Sequence, residues 1–437
     1  MFSDIDPAAG KRMHELARAL WSLPRSITGE GVRKSLQIIA ERVPGLVIHE
    51  VPSGTKVGDW VIPDEWNLFR ARLLDEDGNV ICDTEVNNLS VVNYSIPFSG
   101  ILTREELEYH LHSLPEQPEA IPYVTSYYKP YWGFCLPHKT RQTLKSGSYQ
   151  IEIDTALKPG SLTYADLVIP GNSQEEILIS TYMCHPSLAN NELSGPVVFT
   201  ELVNYVRSIA NRRFSYRFVM APETIGAITY INTHLEHLKK FVVAAFNLTC
   251  VGDDRSYSLL PTRLGSHRID TIARHVLRHR APDYVEYPWS SRGSDERQYS
   301  SPLVNIPMIS MMRTKYWEYP EYHTSNDDLE QVVTPQGLQG SLEMTAAAIA
   351  ILETDTVPLA TTVGEPMLGR RGLYSSLGAG RVSASPNDLL DVWSHCDGHV
   401  TVLEIAERLG MTFAYTLEIV KLLHQHALVS LQEHVIR

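Results

Sequence analysis

The chain lacks any apolar run near the roughly 20 residues that span a bilayer, lacks a CxxC pair, and is short of positive charge. Each absence removes a class of protein. Without a membrane-length segment, and with an acidic Met1-Phe2-Ser3-Asp4-Ile5-Asp6 start where a signal peptide is basic, the sequence reads as a cytoplasmic protein with no membrane partner. Its five cysteines, Cys82, Cys135, Cys184, Cys250 and Cys396, are odd in number and widely scattered, which argues against a disulfide framework or a zinc ribbon and for buried, reduced thiols. The 38 Lys and Arg residues face 51 Asp and Glu, a net charge of −13. Such a field repels polyanions, so nucleic acid is not an expected partner. What is present is an ordinary globular composition, 43% hydrophobic and 20% charged over 437 residues, long enough for two to four domains at about 100–200 residues each.

Apolar residues recur at helical spacing over 11–22 (Met13, Leu16, Ala17, Leu20) and over 31–42 (Leu36, Ile39, Ala40), which predicts two helices between Pro and Gly punctuation. A strand over 46–51 follows. From about 55 to 160 the texture turns to short β-like runs, such as 67–74 turning at Asp77-Gly78-Asn79 into 80–83, with aromatics gathered in 123–134. After 160, strand and helix patterns alternate, the signature of a three-layer α/β sheet with parallel strands. The opening helices and their strand need a sheet to join. Residues 1–55 and 160–365 are therefore expected to form one discontinuous α/β domain, with a nested β-rich domain at 56–159.

Residues 363–385 read as a linker, and helical segments at 387–395, 402–409 and 413–426 with a strand at 428–432 predict a winged-helix-like domain over 383–437. Its candidate recognition helix carries only Glu418 and Lys421 as full charges, too few cations to seat on phosphates. A packing or partner-binding role is expected there, and homo-oligomerisation is left open.

Four segments put metal-competent residues just after predicted strand ends, where open α/β sheets keep their sites. They are Cys184-His185-Pro186-Ser187-Leu188-Ala189-Asn190-Asn191-Glu192-Leu193-Ser194-Gly195, Ala221-Pro222-Glu223-Thr224-Ile225-Gly226, Gly293-Ser294-Asp295-Glu296-Arg297-Gln298, and Tyr319-Pro320-Glu321-Tyr322-His323-Thr324-Ser325. His185 and His323 each read either as a metal ligand or as a loop histidine held by backbone hydrogen bonds. Glu223 and Asp295 read either as acid–base groups or as helix caps and ion pairs.

Together these segments resemble the co-catalytic zinc aminopeptidases and their glutaminyl cyclase relatives. In that superfamily a His follows a central strand, an A-D-D-N-x-S-G segment opens a helix, a Glu at a strand end supplies the base, and a late S-D-H loop precedes an H-T-x-D segment. Here 189–195, Glu223, Ser294-Asp295 and His323-Thr324-Ser325-Asn326-Asp327 stand at those places. A closer resemblance, over nearly the whole chain, is to bacterial aminopeptidase-like proteins labelled as polysaccharide biosynthesis proteins, which have a nested β domain and a C-terminal winged helix. It is carried by Ser26-Ile27-Thr28-Gly29-Glu30-Gly31-Val32-Arg33, Glu50-Val51-Pro52-Ser53-Gly54-Thr55, 184–196, 222–227, Leu248-Thr249-Cys250-Val251-Gly252 and 321–325.

The sequence departs from the two-metal pattern. Asn191, Thr224 and Thr249 stand where the resemblance implies three anionic ligands, and two zinc ions about 3.5–4 Å apart need carboxylates to bridge and neutralise them. The resemblance therefore implies one Zn²⁺ per chain, held by His185 and His323 with Asn191 as a weak oxygen donor. Glu223 would be the base, with Asp295 orienting a ligand or anchoring the substrate amine. Were Glu223 needed as a ligand, Asp295 or Glu296 would act as base. Arg313 and Tyr316, in a segment where the relatives bind the substrate's acidic end, and Glu296 are the expected substrate-binding residues. The expected activity is hydrolysis of an amide or peptide bond in a small-molecule or short peptide-like substrate, linked to an amino acid or a sugar. A degenerate binding protein and a cyclising enzyme of glutaminyl-cyclase type are the rival readings.

Overall fold

The computed structural model describes residues 5–373 and 385–432. The chain divides into two compact units, 1–269 with 283–343 and 270–282 with 344–437. Among the described residues no helix is long and apolar enough to cross a membrane.

The first unit is built on an eight-stranded sheet. Its centre is the strand Glu176–Tyr182, buried at every position, as a strand covered on both faces must be. Ser215–Ala221 pairs with it in parallel on one side and Val242–Leu248 in parallel on the other, and Met308–Met312 continues the parallel set. The sheet is mixed rather than parallel throughout, which corrects the sequence expectation. Ser161–Ile169 runs antiparallel to Ser215–Ala221, Val47–Pro52 antiparallel to Ser161–Ile169, and Ser258–Leu260 antiparallel to Met308–Met312. Alternating sequence patterns report the crossovers but not the direction in which an edge strand returns.

The opening helices form at Ala9–Trp21 and Glu30–Arg42, with Met13, Leu16, Ala17 and Leu20 buried in the first. Between the first two strands of the large sheet lies a four-stranded antiparallel sheet, ordered Val80–Asp83, Glu65–Leu74, Ser148–Lys158, Phe98–Thr103. It has its own core, including Ala71, Leu73, Phe134, Ile151 and Ile153. Trp66 and Tyr94 of the same stretch pack instead into the core of the large sheet.

The second unit contains the helices Pro386–Ser394, Val402–Leu409 and Phe413–Gln425 and a two-stranded antiparallel sheet, Val357–Ala360 with Val429–Gln432. Thr401 and Glu404 form a reciprocal capping box at the middle helix, which Gly410 ends in the left-handed conformation. Of the expected linker, residues 374–384 lie outside the described part, and Leu368–Arg371 forms a short 3₁₀ turn.

Candidate metal centre and active site

The chain passes from Glu176–Tyr182 to a neighbour on one side and then returns to a neighbour on the other. The crevice at the carboxyl ends of such strands is where open α/β sheets bind ligands. His185 follows the central strand there, Glu223 follows Ser215–Ala221, and Thr249 follows Val242–Leu248. The helix Ser194–Ser208 starts hard against these ends because Gly195 has no side chain. A Cβ there would lie 2.3 Å from Thr181 Oγ1 and 2.4 Å from the Leu248 carbonyl oxygen. Two site residues, Thr224 at φ +64° and His323 at φ +57°, sit in the left-handed region that side chains other than glycine seldom adopt.

His185 is fixed from one side only. Its Nδ1 lies 2.8 Å from Glu192 Oε2, while Glu192 Oε1 accepts the Cys184 N–H at 2.6 Å. Fully buried Arg25 donates from Nε to the His185 carbonyl at 2.8 Å and stands 3.6 Å from Glu192. This arrangement places the imidazole proton on Nδ1 and leaves Nε2 as a lone-pair donor, the usual way a carboxylate prepares a ligating histidine. The nearest acidic atom to Nε2 is Glu223 Oε2, 3.7 Å away. Burial pulls the His185 pKa down, but Glu192 outweighs it and the net shift is upward. The Cys184 thiol, pushed well above its ordinary range chiefly by burial, stays protonated and is a poor ligand.

His323 comes from the far loop. Tyr322 stacks on it at 3.9 Å, its carbonyl accepts the Tyr123 N–H at 2.8 Å, and its buried Nε2 has no hydrogen-bond partner. Burial, assisted by His185, lowers its pKa to about 3, so it is a neutral imidazole, the form that binds metal. The two imidazole centroids are 5.7 Å apart, a separation that suits one shared ion at the usual Zn–N distances of about 2.0–2.1 Å. The Tyr123 ring lies 5.0 Å from one and 5.2 Å from the other.

Asn191 carries a further open oxygen on the loop after His185. Its Nδ2 bonds the Tyr182 hydroxyl at 2.9 Å, whereas its buried Oδ1 has no partner. Asp327 holds the loop by accepting the Asn190 and Asn191 N–H groups at 2.7 and 2.9 Å. Thr249 spends its hydroxyl on Tyr182 at 2.7 Å. Two imidazoles whose Nε2 atoms make no hydrogen bond, with a carboxylate 3.7 Å from one of them, are donors of the kind that hold a divalent ion, and among the described residues Cys184, His185 and Glu192 also bring donor atoms within 4.8 Å of one another.

Beside these residues stand two acids, Asp295 buried and Glu223 half-buried. Asp295 accepts the Thr224 N–H at 2.8 Å, and burial reinforced by Glu223 lifts its pKa well above the ordinary carboxylate value. Burial raises Glu223 too, against the pull of His185 and Arg297. Of the sequence candidates, His185 lies 5.7 Å ring to ring from His323 and 3.7 Å from Glu223, and Asp295 holds the residue after Glu223, while the Asn191 side chain bonds Tyr182.

The other three sequence candidates engage neighbours instead. Glu296 accepts from Gly293 N, Ser294 N, the Tyr316 hydroxyl and Asn247 Nδ2 at 2.9–3.0 Å, so Glu296 and Tyr316 hold each other. Arg313 stacks on Tyr257 at 3.7 Å and donates to the Asp253 carbonyl. No motif in the sequence marks a role for Glu192, Arg25, Tyr123 or Arg297. A carboxylate seven positions after His185 was the one readable signal, since Arg25 and Tyr123 reach the site from remote segments. A cleft of about 290 Å³ has His185, Glu223 and Arg297 in its wall.

Comparison with known proteins gives the family and the fold. A family model described as a domain of unknown function, DUF4910, matches residues 14–355, and a winged helix-turn-helix model matches 356–431. The chain is 40% identical over 411 residues, 92% of each chain, to a Clostridium acetobutylicum protein provisionally named a polysaccharide biosynthesis protein with aminopeptidase-like domain. A crystal structure from Clostridium acetobutylicum, of a protein proposed to be a peptidase, superposes with a TM-score of 0.91 at 36% identity, covering 98% of this chain and 97% of that one. BSAP, a zinc aminopeptidase from Bacillus subtilis, matches 80% of this chain and 95% of its own at a TM-score of 0.59 and 13% identity, a likeness of fold.

Proposed function

This chain belongs to the DUF4910 family, and from that premise we propose that it hydrolyses an amide or peptide bond in a small substrate, working with one zinc ion per chain. The observation that carries the reading is the pair of imidazoles, 5.7 Å apart, whose Nε2 atoms make no hydrogen bond, next to the half-buried Glu223. The shared fold with a zinc aminopeptidase supports the choice of metal and of reaction class. The relative's name supports an amide linked to a sugar or its precursor.

His185 and His323 would hold the ion, with Asn191 Oδ1 as a third donor. A zinc ion so held supplies Lewis acidity, polarising a carbonyl and acidifying water. The remaining work falls to the protein. Glu223, its pKa raised by burial, accepts a proton from the attacking water at a carboxylate oxygen and returns it to the leaving amine, a shuttle that works best when the carboxyl titrates nearer neutrality. Asp295 holds the Thr224 N–H and so fixes the strained turn that presents Glu223. Glu192 and Arg25 keep the His185 proton on Nδ1.

The test is metal analysis of the purified full chain and of His185→Ala, together with an amide-hydrolysis panel run on the chain and on Glu223→Gln. One equivalent of zinc, lost in the first variant, with turnover lost in the second, is the expected result. Zinc binding without turnover on any amide makes the chain a binding protein, and zinc lost from Glu223→Gln makes Glu223 a ligand.

A further inference from the structure

The cleft beside His185 and Glu223 has one cationic side chain in its wall, Arg297, and its remaining surface is largely aromatic and aliphatic. Arg297 is exposed, its side chain makes one hydrogen bond, from a terminal nitrogen to Thr224 Oγ1 at 2.9 Å, and its charge also reaches Glu223 and Asp295. Thr224, held at φ +64° with its N–H tied to Asp295, is a rigid anchor. A guanidinium tethered at one corner keeps its other N–H donors in a fixed plane, the geometry that matches a carboxylate with two parallel hydrogen bonds. Arg313, stacked on Tyr257 and committed to Asp253, is not in this wall.

Two aromatic rings of the wall are left uncovered. Trp60 is 40% and Tyr128 50% exposed, although large apolar side chains ordinarily seek burial, and they meet edge to face at 5.9 Å. Trp60 lies on the short hairpin of Lys56–Val57 and Trp60–Val61, turned by Gly58 at φ +61°. Tyr128 is locked to that hairpin by donating its hydroxyl to the Val61 carbonyl at 3.1 Å. Rings fixed in this way present flat apolar faces to the cleft at little entropic cost on binding.

We propose that this cleft selects an amide that carries a carboxylate, taken by Arg297, and a flat ring, aromatic or sugar, laid on Trp60 and Tyr128. The inference deepens the hydrolase reading and rests on it for the identity of the scissile bond. It concerns recognition alone and can be measured without turnover.

The probes are N-benzoylglycine, which has a ring, an amide and a carboxylate, and N-benzoylglycinamide, which differs by replacing the carboxylate with a neutral amide. Calorimetric titration of the zinc-loaded full chain is expected to show the acid binding at least tenfold tighter. Arg297→Ala should erase that preference while leaving affinity for the glycinamide within about twofold, and Arg297→Lys should keep part of it, because the charge remains and the fork is lost. Trp60→Ala should weaken both probes alike. In the zinc-free chain the same preference should persist.

Equal binding of the two probes by the unaltered chain overturns the proposal. So does a preference that survives Arg297→Ala or that exists only with zinc, since the carboxylate would then sit on the ion. An intact, Arg297-dependent preference in a chain that hydrolyses no amide supports this inference and defeats the hydrolase reading alone.

Discussion

Two histidine–glutamate pairs in this molecule begin alike and end differently. His185 meets Glu192 through Nδ1 at 2.8 Å in the first unit, and His275 meets Glu407 through Nδ1 at 2.6 Å in the second. Both belong to clusters whose donor atoms could surround an ion, the second with His279. The difference lies at the opposite nitrogen. His275 Nε2 accepts the Phe413 N–H at 2.9 Å, and Glu407 is shared with Arg278 at 2.7 and 3.0 Å. That imidazole has no lone pair left and its carboxylate is already neutralised. His185 Nε2 is open, and a second imidazole with an unpartnered Nε2 stands 5.7 Å away ring to ring. A histidine beside a carboxylate is thus a structural clamp when its far nitrogen is spent and keeps a donor atom available when it is free.

The comparison breaks most completely at His185. His185→Ala should remove zinc and turnover together, whereas His275→Ala should leave zinc content unchanged, both read by metal analysis of purified protein. Next in size, Glu223→Gln should lower the rate by about 10²–10⁴, the range for a lost general base, with zinc retained. Glu192→Gln should weaken zinc binding by about 10–100-fold, as removal of a carboxylate behind a ligating histidine does; competition with a chelator measures it.

His275→Ala should cost about 1–3 kcal/mol of stability in denaturant unfolding, because it leaves the buried Phe413 N–H unmet. The same residue gives the clamp a pH signature. Burial, opposed by Glu407, sets the His275 pKa below the ordinary 6.5, so the unfolded chain binds this proton more readily than the folded one. Its contribution is therefore present above pH 6.5 and lost as the pH falls through the lower folded value. A His275→Gln chain should show a flatter stability profile on that acid side.

The smallest effect belongs to DNA. With only Glu418 and Lys421 charged on the Phe413–Gln425 helix and a net charge of −13, no salt-dependent retardation of duplex DNA is expected. Sub-micromolar binding that weakens steeply with salt would give the second unit a different role.

Much of the fold was readable because it is written locally. Helical spacing marked Ala9–Trp21, Glu30–Arg42 and Phe413–Gln425 to within a few residues, and the apolar run of Glu176–Tyr182 marked a strand covered on both faces. The strand Val357–Ala360 escaped notice because it is short and acquires its meaning from pairing with Val429–Gln432. In the site, His185 and Glu223 are legible as polar residues following apolar runs, whereas Asp295 and His323 stand out only through the resemblance of their segments. Tyr123 was not, since it reaches His323 through a backbone hydrogen bond between segments 200 residues apart in the chain. Arg313 and Arg297 look equivalent as letters. One stacks on Tyr257 and the other borders the cleft, a distinction made by packing.

The sequence by itself determined the chemistry available to this protein: which side chains follow which strands, and that Asn191, Thr224 and Thr249 carry no charge where the resemblance implies one bridging and two further anionic ligands. The tertiary structure decided which of those groups are free to act. Whether an imidazole nitrogen, an amide oxygen or a guanidinium is already hydrogen-bonded depends on what the fold brings within about 3 Å of it. Those partners, Glu192 and Arg25 for His185, Phe413 for His275, Asp253 for Arg313, come from distances along the chain that no local pattern records.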